Sequence, residues 1–374
     1  MSQTFLDEVA RFAADRVAPN AAAWSMGTAP DPALYQAAAD LGLLGMEVPR
    51  AQGGEGFGFA TRAAACGLLA GADFGFAMSL VNTHNIALRL CEGGQEAAAA
   101  RHLPALLSGQ MHACTALTEP STGSDFAAIR TTAQRVAGGW LLEGEKTWII
   151  NGRQAELSIV YAQCAEIGDS SGIGAFLVDL TAPEVTRFAI YSAFAQTSMG
   201  TGGFRLAGLF LPEEAMISAP GVAFSAIMNE INAARTYVAA MCDDMVQAAL
   251  DHAATYGVQR SGFGKPLNAI PSWQAEFDAA HSALAQARAM TLRAVEQVAQ
   301  GDDAQLAAAE AKIGSVICAQ TYLPKLLQLM GAEGLRPEYP FTRHIAAAQI
   351  AGFTDGATNV LKERVARLTA RKEA

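Results

Sequence analysis

TTAQRVAGGWLLEGEKTWIING, residues 131–152, decides the fold. Its two halves read as strands joined by a tight turn at Gly138-Gly139, the pattern of a β-hairpin. More strand-like runs follow at 157–164, 174–180, 185–190 and 204–211. They are too many and too evenly spaced for a parallel α/β sheet, so residues 113–218 are expected to form a middle β-barrel-like domain. On both sides of it the period turns helical. Upstream, 5–17 carries apolar residues at helical spacing, and 32–44 follows Asp31-Pro32, an N-cap with proline at the first helical position. Gly53-Gly54 then breaks the pattern, and residues 1–112 read as an N-terminal α-helical domain. Downstream, Val238, Met241, Met245, Ala249 and His252 mark one helix face. Long helices fit 272–300 and 303–330, with Gly301 and Gly331 as stops, and a last helix fits 358–371. Residues 219–374 are therefore expected to form a C-terminal four-helix bundle, and the whole an α+β multidomain chain.

Composition narrows the function classes. The chain has 374 residues, enough for two or three domains, and its 51% hydrophobic and 17% charged residues are those of an ordinary globular protein. A net charge of −10 argues against nucleic acid as a ligand. The six cysteines lack metal-type spacing to one another or to histidine, so no metal is expected and they read as reduced core residues. The N-terminal residues mix acidic with apolar side chains, unlike a secretory signal, so the cytoplasm is the expected location. The least charged long stretch, 63–88, is interrupted by Asp73 and polar residues, and no membrane span is expected.

Two stretches offer chemistry. Thr118-Glu119-Pro120-Ser121-Thr122-Gly123-Ser124-Asp125 gathers hydroxyls, glycine and free N–H groups on a turn, suited to a polar ring edge or a phosphate. A plain turn with side-chain caps accounts for the same residues. Lys146-Thr147-Trp148-Ile149-Ile150-Asn151-Gly152 ends a strand with a tryptophan, which either covers a planar cofactor or fills the sheet core.

Taken in order, these stretches resemble the acyl-CoA dehydrogenase family. ALTEPSTGSD is similar to the family's signature turn, and KTWIING to its flavin-stacking strand. Arg260-Ser261-Gly262-Phe263-Gly264-Lys265-Pro266 is similar to its arginine and phenylalanine motif, and Gln328-Leu329-Met330-Gly331-Ala332 to its glutamine and glycine turn. PRAQGGEG at 49–56 extends the resemblance into the N-terminal domain. The resemblance implies FAD held between subunits of a homodimer or homotetramer. Leu117 and Thr118 would meet the pyrimidine edge, Ser124 the pyrophosphate, and Trp148 one flavin face. Ile150 stands where the family usually has a hydroxyl, leaving only a backbone contact. Arg260 and Phe263 would reach a neighbouring subunit's FAD, with Gln328, Gly331 and Ala332 beside its adenosine half, and Asn359 is counted among the cofactor contacts.

The family's reaction takes a proton from the α-carbon of an acyl thioester while a hydride passes to the flavin. Its usual base, a glutamate before glycine, has no counterpart here. Counting back from Val365-Ala366-Arg367 puts Asp355-Gly356 at the base position, whereas counting forward from Arg343 puts Gly352 there. Asp355 is favoured, as the one carboxylate in 343–362; its other reading is a cap on the last helix. Arg235 matches an arginine near the family's active site, and Ala234 removes an alternative glutamate base. The connection from Met199 to Phe204 is shorter than the family's substrate-facing loop before the proline matched by Pro212, so an atypical acyl pocket is expected. The resemblance therefore implies FAD-dependent α,β-dehydrogenation of an acyl-CoA, or of an acyl thioester on a carrier protein, within fatty acid metabolism. Electron-transfer flavoprotein or oxygen would be the acceptor. Alternatives are nitroalkane-oxidase-like oxidation, which also uses aspartate, and desulfinase-like elimination if Gly352 is the true counterpart. A non-catalytic binding role would draw on Lys362, Arg364, Arg367, Arg371 and Lys372, against which Glu363 and Glu373 on the same helix suggest a solvated face.

Overall fold

In a computed structural model of the chain, which describes residues 2–92, 94–164, 172–191 and 196–373, helices flank a sheet in the expected order. The first part holds α1 (Ser2–Phe12), α2 (Ala18–Ser25), α3 (Pro32–Asp40), α4 (Phe59–Ala72), α5 (Phe74–Leu90) and α6 (Glu96–Leu107). The helix expected over 5–17 continues to Ser25, through a π-helical turn at Ala13–Val17. Asp31 caps α3 by accepting from Ala33 N–H at 2.9 Å. Asp73 separates α4 from α5: extended at φ −154°, it accepts from Phe76 N–H at 2.8 Å.

The middle part is built from β1 (Ala113–Ala116), β2 (Thr132–Val136), β3 (Gly139–Ile149), β4 (Leu157–Gln163), β5 (Ile173–Asp179), β6 (Val185–Ala189), β7 (Gly202–Pro212) and β8 (Met216–Ser218). Val136 pairs with Gly139 across the predicted hairpin, and Gly138 takes the positive φ (82°) the turn needs. The order β6-β7-β3-β2-β4-β5-β8 is mostly antiparallel, with β1 added in parallel to β4. Among the described residues the sheet does not close on itself, so it is barrel-like only loosely.

The last part contains α7 (Ala223–Gln259), a short hairpin of β9 (Ser261–Gly262) and β10 (Lys265–Pro266), then α8 (Pro271–Gln300), α9 (Gln305–Leu329), α10 (Phe341–Ala351) and α11 (Thr358–Glu373). Gly301 ends α8 in the left-handed conformation, φ 75°. The N-terminal helices and the bundle share one apolar core, running from Phe5 and Val9 through Tyr237 and Met241 to Ala348 and Ala351. The face of α7 that carries Ile227 and Ile231 packs instead with Ile159, Tyr161 and Ile173 of the sheet. α7 thus spans both cores, and the space between them opens beside it. Among the described residues no helix is long and apolar enough to cross a membrane.

Candidate active site

The predicted turn and the predicted tryptophan strand are locked together by a buried ion pair. Lys146 Nζ lies 2.8 Å from Glu119 Oε1 and donates to Leu117 O at 3.1 Å, and both side chains are buried. Glu119 also accepts from Arg130 N–H (2.6 Å), Thr131 N–H (2.9 Å) and the Thr131 hydroxyl (2.6 Å). Burial alone would raise the Glu119 carboxyl, but Lys146 and these donors hold it below its ordinary value. Burial pulls Lys146 down to about 8 against the attraction of Glu119. Thr147 N–H donates to Thr118 O at 3.0 Å, which fixes Trp148 next to the turn.

These elements form one wall of a cleft of about 860 Å3. Leu117, Thr118, Ser124, Trp148 and Ile150 line that side, and α5, α7 and residues 353–357 the other. Ser124 Oγ accepts from Ala357 N–H at 3.2 Å, joining the turn to the N-terminal end of α11. Among the described residues, Trp148, Asn151, Phe263 and Asp355 are the non-glycine positions with positive φ (56°, 62°, 53° and 55°). Such backbone costs about 1–3 kcal/mol at a bulky residue and collects at functional sites. Asn151 is explained by structure: fully buried, it donates to Ser79 O and Ala113 O and accepts from the Ser79 hydroxyl, pinning β3 to α5 and β1. Trp148 is 58% exposed and turns its ring to the cleft rather than filling the sheet core. A flavin fits these residues: a flat apolar face, a turn of polar groups beside it and a helix N-terminal end next to a serine.

Opposite stands Asp355. Arg235 Nε donates to the Asp355 carbonyl at 3.0 Å, and Lys312 Nζ to the Gly356 carbonyl at 2.6 Å. Both cations hold the main chain, and the carboxylate atom Oδ2 has no hydrogen-bond partner among the described residues. Gly356 has φ 108°, a conformation that L side chains rarely adopt, so the turn favours glycine. Burial raises the Asp355 carboxyl above the usual aspartate range, while Lys312 and Arg235 pull the other way. Burial also lowers Lys312 to about 8 and Arg235 to about 10. The capping alternative for Asp355 is not seen: Ala357 N–H bonds to Ser124 and Thr358 N–H to Gly352 O.

Of the residues singled out from sequence, Leu117, Thr118, Ser124, Trp148, Ile150, Arg235 and Asp355 line this one cleft. Gly352 is not among the residues that line it. It continues α10 in helical geometry, and a Cβ there would meet Gln320 of α9 at 3.1 Å. Asn359 is exposed in the first turn of α11. Arg260 and Phe263 lie on the β9–β10 hairpin, with Phe263 98% exposed, away from the chain's own cleft. Gln328, Gly331 and Ala332 are exposed at the same end of the bundle: Gly257 packs on Trp273, whose indole donates to Leu329 O at 3.2 Å.

Sequence reasoning missed Glu119 with Lys146, Lys312, and the polar group Asn82, Asn85 and Tyr237, which lines the cleft from α5 and α7. Lys312, a lone lysine in an alanine-rich helix face, carried a signal. The others did not, because a polar residue in a helix or strand shows no partner until the chain folds.

Three family models match the chain in order: acyl-CoA dehydrogenase, N-terminal domain (residues 2–110), middle domain (114–208) and C-terminal domain (224–369). The short-chain specific mitochondrial acyl-CoA dehydrogenase of Homo sapiens is 30% identical over 322 residues, 86% of this chain and 78% of that protein. The (2S)-methylsuccinyl-CoA dehydrogenase of Cereibacter sphaeroides is 29% identical over 378 residues, 96% of this chain and 68% of that one. Butyryl-CoA dehydrogenase from Megasphaera elsdenii has a similar structure, with a TM-score of 0.93 at 27% identity over 99% of this chain and 98% of that chain.

Proposed function

Because the chain belongs to the acyl-CoA dehydrogenase family, we propose that it is an FAD-dependent dehydrogenase of acyl-CoA thioesters in which Asp355 removes the α-proton. The observation that carries this assignment is the state of Asp355: its carboxylate oxygen Oδ2 is buried beside the cleft without a hydrogen-bond partner, while Arg235 holds the Asp355 carbonyl and Lys312 that of Gly356. A thioester α-proton is weakly acidic, so its base must be free to approach it and must bind the proton more strongly than a surface aspartate does. Burial supplies that strength. The two cations oppose that rise, and both bond to main-chain carbonyls rather than to the carboxylate. Arg235 is thereby a positioning residue for Asp355.

FAD, when bound, supplies the hydride acceptor at the β-carbon. Leu117, Thr118, Ser124, Trp148 and Ile150 would hold it from within the cleft, with Asn359 near its phosphates. Arg260, Phe263, Gln328, Gly331 and Ala332 are exposed far from their own cleft, which supports service to the FAD of a second subunit in a homodimer or homotetramer. A fixed guanidinium suits a buried diphosphate because its planar donors match phosphate oxygens. Reoxidation by an electron-transfer flavoprotein or by oxygen completes the cycle.

The test is anaerobic single-turnover flavin reduction by a panel of acyl-CoAs and nitroalkanes. Acyl-CoAs are expected to bleach the flavin and nitroalkanes to leave it oxidised. Asp355→Asn should keep its fold and flavin and lose about a hundred- to ten-thousand-fold in rate. A folded, FAD-loaded Asp355→Asn variant with wild-type rates would remove Asp355 from the chemistry.

A further inference from the structure

Beyond the flavin side, the cleft runs between α5 and α7, where an acyl tail would lie, and its lining there is not uniformly apolar. Asn82, Asn85 and Tyr237 all face it. Their hydrogen bonds fix which polar valences remain free. Arg62, 5% exposed, donates from Nη1 to Asn85 Oδ1 at 3.1 Å. A guanidinium has no lone pair, so the Asn85 amide can take only this orientation, and its Nδ2 donates to Tyr237 Oη at 3.2 Å. The Tyr237 oxygen thus accepts, and its own proton has no acceptor among the described residues. Asn82 Nδ2 donates to Met78 O at 3.0 Å, a carbonyl that can only accept, so Asn82 Oδ1 is the free end of that amide. Asn82 and Asn85 are three residues apart on one helix and therefore neighbours on its face.

The cleft floor thus offers an acceptor at Asn82 and a donor at Tyr237, the complement of a group that both donates and accepts. A hydrocarbon tail would strip both of water and return no bond. An anionic tail is disfavoured, because Arg62 is already neutralised by Glu47 at 2.7 Å and Arg235 is engaged by the Asp355 carbonyl and Asn232 Oδ1, so neither offers its charge freely to a ligand. We propose that the acyl group taken by this cleft carries a hydroxyl beyond the β-carbon, donating to Asn82 Oδ1 and accepting from Tyr237 Oη, an inference that rests on the assignment of the cleft to acyl-CoA. The hydroxyl lies beyond the β-carbon because the α- and β-carbons give up the proton and the hydride.

The experiment is anaerobic calorimetry on the FAD-loaded enzyme with its flavin chemically reduced, so that no hydride moves. The ligands are hexanoyl-CoA, its 4-, 5- and 6-hydroxy derivatives, and adipyl-CoA. At least one hydroxylated ligand should bind about tenfold tighter than hexanoyl-CoA, the gain of one or two neutral hydrogen bonds, and adipyl-CoA should bind most weakly. Tyr237→Phe and Asn82→Leu should each bring the hydroxylated-to-plain ratio toward one, with flavin content showing that each variant is folded. Hexanoyl-CoA binding as tightly as every hydroxylated ligand, adipyl-CoA binding tightest, or an unchanged ratio in both variants would each overturn the proposal. Failure of the dehydrogenase assignment has a separate signature: none of these thioesters would bleach the oxidised enzyme.

Discussion

Replacing Lys146 with methionine should break the join between the turn and the tryptophan strand, and the structure sets the size of the effect. Lys146 Nζ serves Glu119 Oε1 at 2.8 Å and Leu117 O at 3.1 Å, and neither Lys146 (0%) nor Glu119 (3%) has appreciable side-chain exposure. An intact buried ion pair contributes little compared with apolar residues of the same volume. Removing one partner is different, because a buried charge is left uncompensated, typically at about 3–5 kcal/mol. Three donors would still hold the Glu119 carboxylate after the change, which places this case near 3 kcal/mol. For a chain of this length that is a fall in Tm of about 4 °C. Leu117 and Thr118 would lose their anchor as well, so flavin content should fall with stability. The assay is thermal denaturation followed by circular dichroism, with the FAD-to-protein ratio read from absorbance after gel filtration. Glu119→Gln combined with Lys146→Met removes both charges and should recover part of the loss, so a double-mutant cycle isolates the pair. Unchanged Tm and flavin content in the Lys146→Met protein would refute the role given to the pair.

Other charged residues give further outcomes. Lys312→Met removes the cation that most opposes the raised proton affinity of Asp355, so the acidic limb of the flavin-reduction rate should move to higher pH; an unmoved limb would mean that Asp355 does not set it. Burial raises the Asp243 carboxyl to about 7. Between about pH 4 and that value the folded state binds a proton that the unfolded state does not, so stability should fall as pH rises through this window. Asp243→Asn should flatten that fall in a Tm series, and an identical slope would assign it to other groups. Arg260→Ala should weaken FAD retention in the assembled protein although Arg260 does not reach its own cleft; full retention after gel filtration would show that the β9–β10 hairpin serves no neighbouring flavin.

Much of this was legible locally. The hairpin at Gly138-Gly139, the cap at Asp31 and the stop at Gly301 depend on residues within a few positions of one another, and each matches its expected element. Element ends were less legible. α7 runs for 37 residues because both of its faces are buried, one in the bundle and one against the sheet, and burial all round weakens the periodic signal that marks a helix. α10 carries little periodic signal for a similar reason: it is short and largely buried, with Arg343 and His344 turned inward to the carbonyls of Ala72 and Gly71.

The candidate site divides in the same way. Motif spacing singled out Trp148 and Asp355, while two sequence anchors disagreed between Asp355 and Gly352. The fold places them differently: Gly352 directly follows the last residue of α10, beside Gln320, and Asp355 lies three residues on, in a turn that lines the cleft. Which charges are paired was likewise decided only by the fold. Lys146 meets Glu119 across 27 positions, Lys312 meets Gly356 across 44, and Arg235 meets Asp355 across 120. The sequence by itself determined the type and order of the elements, because the period of apolar residues is a property of neighbours along the chain. Only the tertiary structure determined that two cations bond to carbonyls and leave a carboxylate oxygen without a partner, because desolvation and hydrogen bonding depend on atoms that neighbour one another in space.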